Sequence, residues 1–252
     1  MAGSYSVIGL GSLPELHPGD NLPSLVVDAV AAEAGGLHGG DVVVVTQKVV
    51  SKAEARLVDL RSVTPSAFAL SLAAELDKDP ALLEVILSET RRIVRMDHNV
   101  FIVETHHGFI CANAGVDRSN VPDDQVVALL PVDPDASARA IRTKLTARWP
   151  EAACAVIITD SFGRPWREGI TEVAIGVSGL LPVETMRGQR DPYGYLLSST
   201  DIAIADHLAA AAGLVMGKFD MVPAAVVRGV RFTPAEGTAQ ALLRPAERDL
   251  FR

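Results

Sequence analysis

The sequence predicts an α+β fold of mixed sheets with flanking helices, neither a Rossmann nor a P-loop fold. Three observations lead there. Strand-like and helix-like stretches alternate without the regular βαβ repeat that builds a parallel doubly wound sheet. No GxGxxG follows a strand and opens a helix, although GLGSLPE (9–15) has a superficial likeness to such a loop. The phosphate-loop sequence GxxxxGK[ST] is absent too; MGKF (216–219) keeps only its final Gly-Lys.

The elements are read in chain order. DVVVVT (41–46) is an unbroken β-branched run, as expected of a strand buried on both faces. Its continuation, QKVVSKAEAR, is too polar for a core strand. Pro65 and Ser66 open a helix, SAFALSLAAEL, and Asp79-Pro80 opens a second, ALLEVILSETRRIV. NVFIVET and GFICAN read as a hairpin around His106-His107-Gly108. Residues 135–149 form an amphipathic helix with Asp135 or Ser137 near its cap. ACAVIIT is the next strand, ending at the acid Asp160, and residues 172–186 supply one or two more. Ser199 or Thr200 caps the Ala-rich helix DIAIADHLAAAAGLV, and PAAVVRGV is a late strand.

The chain has 252 residues, enough for one large domain or two lobes. Its net charge of −8 argues against nucleic-acid binding, which needs a broad basic face. Cys111 and Cys154 sit in apolar segments and read as buried, reduced thiols. The N-terminus lacks a basic start followed by an apolar core, so no secretory signal is read there. No apolar run approaches the ~20 residues of a membrane span. A cytoplasmic location is expected.

Four polar segments interrupt the apolar runs. In TQKVVSKAEAR (46–56), Lys48 and Lys52 are four apart and share a face whether helical or extended; they suit a phosphate, or a solvated strand end. CANAGVDRSNVP (111–122) crowds Asn113, Asp117, Ser119 and Asn120 into one loop, able to hold a hard cation or to form an Asx turn. In ITDSFGRPWREG (158–169), Asp160 and Ser161 offer oxygen ligands at a strand end. Gly163 admits close backbone approach, Arg164 and Arg167 offer planar donors, and Trp166 offers a stacking face. MRGQRDPYGY (186–195) adds Arg187 and Arg190 beside the turn Asp191-Pro192-Tyr193-Gly194. The histidines are scattered, or adjacent on opposite strand faces as at His106-His107, and make a poor metal set. Acids for a divalent metal and basic residues for anions are the equipment of phosphoryl transfer. The residues alone therefore predict a metal- and phosphate-dependent enzyme.

In this order, VVVTQKVVSKAEAR, CANAGVDRSNVP, ITDSFGRPWREG, RDPYG and GKFDMVPAAVVRG resemble the coenzyme F-420:L-glutamate ligases, also called F-420-0:γ-glutamyl ligases. The resemblance runs from LPEL (13–16) to LLRPAERDLF (242–251). It implies that family's α+β fold, a homodimer, and GTP-dependent addition of L-glutamate to the deazaflavin F-420 precursor, followed by γ-linked glutamates. It implies two divalent cations, Mg2+ or Mn2+, assisted by K+. The positions matching GTP contacts are Leu13, Pro14, Glu15, Leu16, Gln47, Lys52 and Asn120, with the segment Met216, Gly217, Lys218, Phe219, Asp220, Met221, Val222 and Pro223. Asp117, Asp160 and Ser161 match metal-binding positions, Ser161 standing where Thr is common. The chemistry expected is activation of a carboxylate as an acyl phosphate, with Asp117, Asp160 and Lys52 as the catalytic set. Arg164, Trp166, Arg167 and Arg190 are assigned to the acidic substrates.

Two positions depart from the family pattern. Ile170-Thr171-Glu172 replaces Gln-Thr-Asp, and Lys218 falls where some archaeal members carry a metal-contacting Gln or Glu. Some relatives continue into a flavin-dependent reductase domain after a similar LLRP…DLF. The expectation here is one ligase domain over 1–252 without that extension, either stand-alone or cut from a longer protein. The competing readings are a metal-dependent phosphatase or nucleotide hydrolase, which would release phosphate without glutamate, and a deazaflavin-binding protein without turnover.

Overall fold

The computed structural model describes residues 3–97, 100–119 and 123–249. Its elements, in order, are β1 (Ser6–Leu10), α1 (Leu22–Glu33), β2 (Val42–Thr46), α2 (Gln47–Ala53), β3 (Leu57–Asp59), α3 (Ala67–Leu76), α4 (Pro80–Ser88), β4 (Thr90–Asp97) and β5 (Val100–Thr105). They continue with β6 (Ile110–Ala112), β7 (Val126–Ala128), α5 (Pro134–Arg148), β8 (Ala155–Arg164), β9 (Arg167–Ser178), β10 (Glu184–Thr185), β11 (Asp201–Ile202), α6 (Ile204–Met216) and β12 (Ala224–Arg228). Helices and sheets are mixed, as the α+β reading expects.

The central sheet has the order β1-β12-β2-β8-β9. Only β2 and β8 run parallel; the other neighbours are antiparallel. Because successive strand residues face opposite ways, the β-branched run of β2 serves two cores. Val43 and Val45 join Val156, Ile158 and Val226 beneath α1 and α5. Val42 and Val44 join Ile157, Ala225 and Val227 beneath α6. All of these side chains are buried, so β2 lies under helices on both faces. A third core, including Leu72, Leu83, Ile86, Phe101, Val103 and Val127, is shared by α3, α4, β5 and β7.

Where helix packs on sheet, glycine makes the contact. A Cβ at Gly176 of β9 would stand 2.4 Å from the Pro134 backbone, so the start of α5 rests directly on the strand. β9 is the sheet's last strand, and its outward N–H groups take carboxylates from both helices. Ala174 donates to Asp206 Oδ1 (2.9 Å) and Val177 to Asp135 Oδ1 (2.7 Å).

Several expectations need correction. The second helix stops at Ser88; TRRIVRMD is strand β4, paired with β5. Arg92 stands opposite the buried Glu104 and binds it at 2.8 Å, a cross-strand ion pair that a helix could not make. The cap of α5 is Asp133, whose Oδ1 accepts from Ala136 N at 2.8 Å, because Asp135 is engaged by β9. Neither Ser199 nor Thr200 caps α6; Asp201 and Ile202 pair with β10, and the helix begins at Ile204 after Ala203. Finally, the strand ACAVIIT does not end before Asp160. β8 runs on to Arg164, and Pro165-Trp166 turns it into β9 as a long two-stranded ribbon. Trp166 takes a positive φ of 56° in that turn. The hairpin around Gly108 is as expected: β5 and β6 pair antiparallel, and Gly108 N donates to Thr105 O at 2.9 Å.

Candidate functional site

The central sheet brings four distant segments to one end. Thr46 and Thr159 are register partners in the parallel pair, so β2 and β8 deliver Lys48 and Asp160 side by side. The carboxyl end of a parallel pair is where open α/β sheets place ligands. β1 and β12 are antiparallel, with Leu10 opposite Ala224. The loop leaving β1 and the loop entering β12 therefore meet at the same edge. Thr46 N donates to Pro223 O at 2.9 Å and ties the second of these loops down.

Between these segments lies a cleft with about 890 Å³ of empty space, solvent at its mouth included, within the range for small-molecule sites. Its walls include Leu13, Pro14, Glu15 and Leu16 from the first loop, Lys52 from α2, Asp160 and Ser161 from β8, and Met216, Gly217, Lys218, Met221, Val222 and Pro223 from the loop after α6. These are residues the sequence singled out. Thr46, Lys48, Val49, Ser119 and Glu172 line it as well. Lys48 stood in the sequence as a phosphate candidate with Lys52, and Glu172 only as a departure; Thr46 and Val49 carried no signal beyond their place at the end of β2.

Three lysines in the cleft are each held by an acid. Lys52 Nζ donates to Glu15 Oε1, and Lys48 Nζ to Asp117 Oδ2. Lys218 Nζ donates to Ser161 Oγ, whose hydroxyl donates to Glu172 Oε1; the ammonium stands 3.7 Å from that oxygen. Lys48 and Lys52 project together because the segment after β2 is helical, with one turn between them. The Glu15 loop has a second anchor. Gly11 N and Ser12 N each donate to the Glu33 carboxylate at 2.9 Å, and the Ser12 hydroxyl does so at 2.6 Å. Burial acts to raise Glu33, but these donors outweigh it and leave the carboxyl below its usual range.

The acids are tuned apart. Burial would raise Asp117, yet the Lys48 ammonium and the Ser119 N–H and hydroxyl hold it low; the Ser119 contacts are 2.8 and 2.9 Å. Asp160 goes the other way. Burial pushes it up to about 7, and the charges of Glu172 and Asp117 add to the rise against the Ser161 N–H and the more distant Lys48. Cys111 lies close enough to feel Asp160; burial and then that charge push its thiol up to about 12, so it is no nucleophile. Both cysteines are buried and free, as expected.

The remaining site residues fall outside the cleft wall. Gln47 is fully buried and accepts from Ser51 Oγ at 2.7 Å; its Nε2 has no partner among the described residues. Phe219 and Asp220 belong to the cleft loop but face solvent. Asn120 lies outside the described residues. Arg164, Trp166 and Arg167 are at the ribbon's tip, and Arg190 braces its own turn by donating to Gly194 O at 2.6 Å. None of these four lines the cleft.

Among the described residues no three His, Cys, Asp or Glu side chains form a metal-ligand cluster. The donor set nevertheless fits a Mg2+-type ion, which keeps water and takes one or two carboxylates together with phosphate oxygens. Asp160 makes no ion pair of its own among the described residues, and acids flank it. Such a carboxylate lacks a cation, and the cleft is open to supply one.

Comparison with known proteins identifies the family. Residues 11–229 match the F420-0:gamma-glutamyl ligase family. A relative from Methanothermobacter thermautotrophicus, named coenzyme F420:L-glutamate ligase, is 45% identical over 251 residues, 98% of each chain. Relatives of the same name from Methanopyrus kandleri and Methanocaldococcus jannaschii are 45% and 40% identical, covering 94% and 98% of this chain and 94% and 96% of their own. The loops and strand ends that build the cleft lie within the matched span, and the chain belongs to the F420-0:gamma-glutamyl ligase family.

Proposed function

We propose that this protein joins L-glutamate to the deazaflavin F-420 precursor at the expense of GTP, through an acyl phosphate, and then adds further glutamates by γ-linkage. The observation that carries the reading is the convergence of Lys48, Lys52, Lys218 and Asp160 in one cleft at the end of the parallel strand pair. Family membership supports the glutamate and deazaflavin substrates. The choice of GTP rests on the resemblance of the cleft-lining loops to that family's nucleotide contacts.

In the proposed reaction a carboxylate oxygen of the precursor attacks the γ-phosphorus, and the bond to the β-phosphate oxygen breaks to release GDP. The glutamate amine then attacks the acyl carbon. The C–O bond to phosphate breaks, and the nitrogen's surplus proton leaves with the phosphate. Lys48 and Lys52 provide point charges for the triphosphate. Asp160 would hold Mg2+ or Mn2+, which supplies neutralising charge for phosphoryl transfer, while Asp117, engaged by the Lys48 ammonium, positions that lysine. A homodimer belongs to the same proposal. The ribbon exposes Trp166 and Ile170, apolar side chains at 79% and 58% accessibility that a partner would cover; sedimentation equilibrium reads the state directly.

The experiment is mass spectrometry of the precursor after incubation with protein, GTP, Mg2+ and L-glutamate, omitting each in turn. A gain of glutamyl units that needs every component is the expected result. GTP hydrolysis without any gain would replace the ligase by a hydrolase.

A further inference from the structure

Resting on that reading, the cleft also says how many cations it takes. At one end are two oxygen donors, Ser161 Oγ and Glu172 Oε1, hydrogen-bonded to each other. Both already face a positive charge. Lys218 Nζ donates to the serine oxygen and stands 3.7 Å from the glutamate oxygen.

This arrangement is built by the backbone. Glu172 lies across Gly213 of α6, where an added Cβ would come within 2.7 Å of Glu172 Cγ. A glycine in a helix interior costs stability relative to alanine, and here it gives the glutamate its seat. Gly217 then ends α6 with a φ of 57°, and the next residue is Lys218. The chain thus brings an ammonium back over the strand pair carrying Ser161 and Glu172, which are themselves register partners. Asp160 has no ammonium of its own in the same way.

We propose that Lys218 stands in for a bound cation at the Ser161–Glu172 end of the cleft, so that the chain holds one divalent ion, at Asp160, and not two. An ammonium and a divalent ion on the same two oxygens would repel each other at close range, and a tethered charge avoids the translational cost of capturing a free ion. Lys218 then acts as a positioning residue for the phosphates, and Glu172 keeps it aimed.

The test counts protein-bound Mn2+ by equilibrium dialysis and electron paramagnetic resonance, on the full chain saturated with guanylyl imidodiphosphate. The wild type is expected to bind one Mn2+. Lys218→Gln removes the charge and offers an oxygen; it should bind a second ion at least tenfold more tightly than the wild type does. Lys218→Arg, which keeps the charge, should stay at one. Two ions in the wild type, with glutamate ligation intact, would overturn the inference and leave the ligase reading standing. A count that stays at one in Lys218→Gln would overturn it as well. No nucleotide-dependent Mn2+ in the wild type would overturn both.

Discussion

The ammonium of Lys48 on α2 donates to the carboxylate of Asp117, in the loop that follows β6. The pair joins a helix of the central sheet to a segment packed on the third core, at the cleft itself. Lys48 lines the cleft, and its acid holds it in place there. Lys48→Met should raise the KM for GTP by roughly 10-fold or more, the scale of a charged hydrogen bond. The KM for glutamate should change by less than about threefold. Steady-state kinetics with each substrate varied separates the two; equal effects on both would remove the phosphate role.

Gly213 offers a test of the seat under Glu172. Elsewhere in a helix, glycine to alanine gains up to about 1 kcal/mol. At this position the new methyl collides with Glu172 Cγ. Gly213→Ala should lose ligation at least tenfold while its melting temperature moves by only a few degrees. Full activity in the alanine variant would show that Glu172 has no fixed place.

A structural ion pair sits at the far side of the sheet. Asp41 is fully buried; Arg228 Nη2 binds its Oδ2 at 2.8 Å and Gly36 O at 2.8 Å. Removing the arginine leaves a buried carboxylate without its cation. Arg228→Met should cost about 3–5 kcal/mol in urea unfolding, with kcat in the surviving folded fraction unchanged.

Asp206 supplies a pH signature independent of the cleft chemistry. Burial raises its carboxyl above the usual range, against the opposing hydrogen bond from Ala174 N. A raised folded-state value means that its contribution is full in acid, below the unfolded value, and is lost as pH rises through the folded one. Asp206→Asn keeps an oxygen for Ala174 N but cannot ionise. The stability gap between variant and wild type should widen from pH 4 upward and level off once Asp206 is ionised in the native state. Urea midpoints at one-unit steps measure this; a gap that does not change with pH would refute it.

Much of this was legible in the residues. DVVVVT announced a doubly covered strand because every position is β-branched. The cleft loops were legible because acids, lysines and glycines interrupt apolar runs for no packing reason. What was not legible came from pairing. Residues 90–97 leave the helix because β5 offers them partners, and Arg92 finds Glu104 only across that ladder. Residues 160–164 look like a loop because only Phe162 among them packs on a core; β9 keeps them extended. Glu172 read as a departure, since nothing local says that it will lie over Gly213 and meet Lys218.

The register of β2 against β8 has a practical consequence. Thr46 beside Thr159 fixes the distance between the lysine-bearing helix and the acid-bearing strand through the sheet's own hydrogen bonds. The end of the connecting chain, α5, packs on the central sheet, but the part from Leu57 to Leu129 takes no part in setting that distance. It folds as strands and helices with a core of their own. An engineer could therefore lengthen, shorten or exchange pieces of that excursion, sparing the Asp117 loop, to reshape what enters the cleft without disturbing the spacing of its charges. Transplanting the site elsewhere would mean carrying over two adjacent strands in register, not a set of loops.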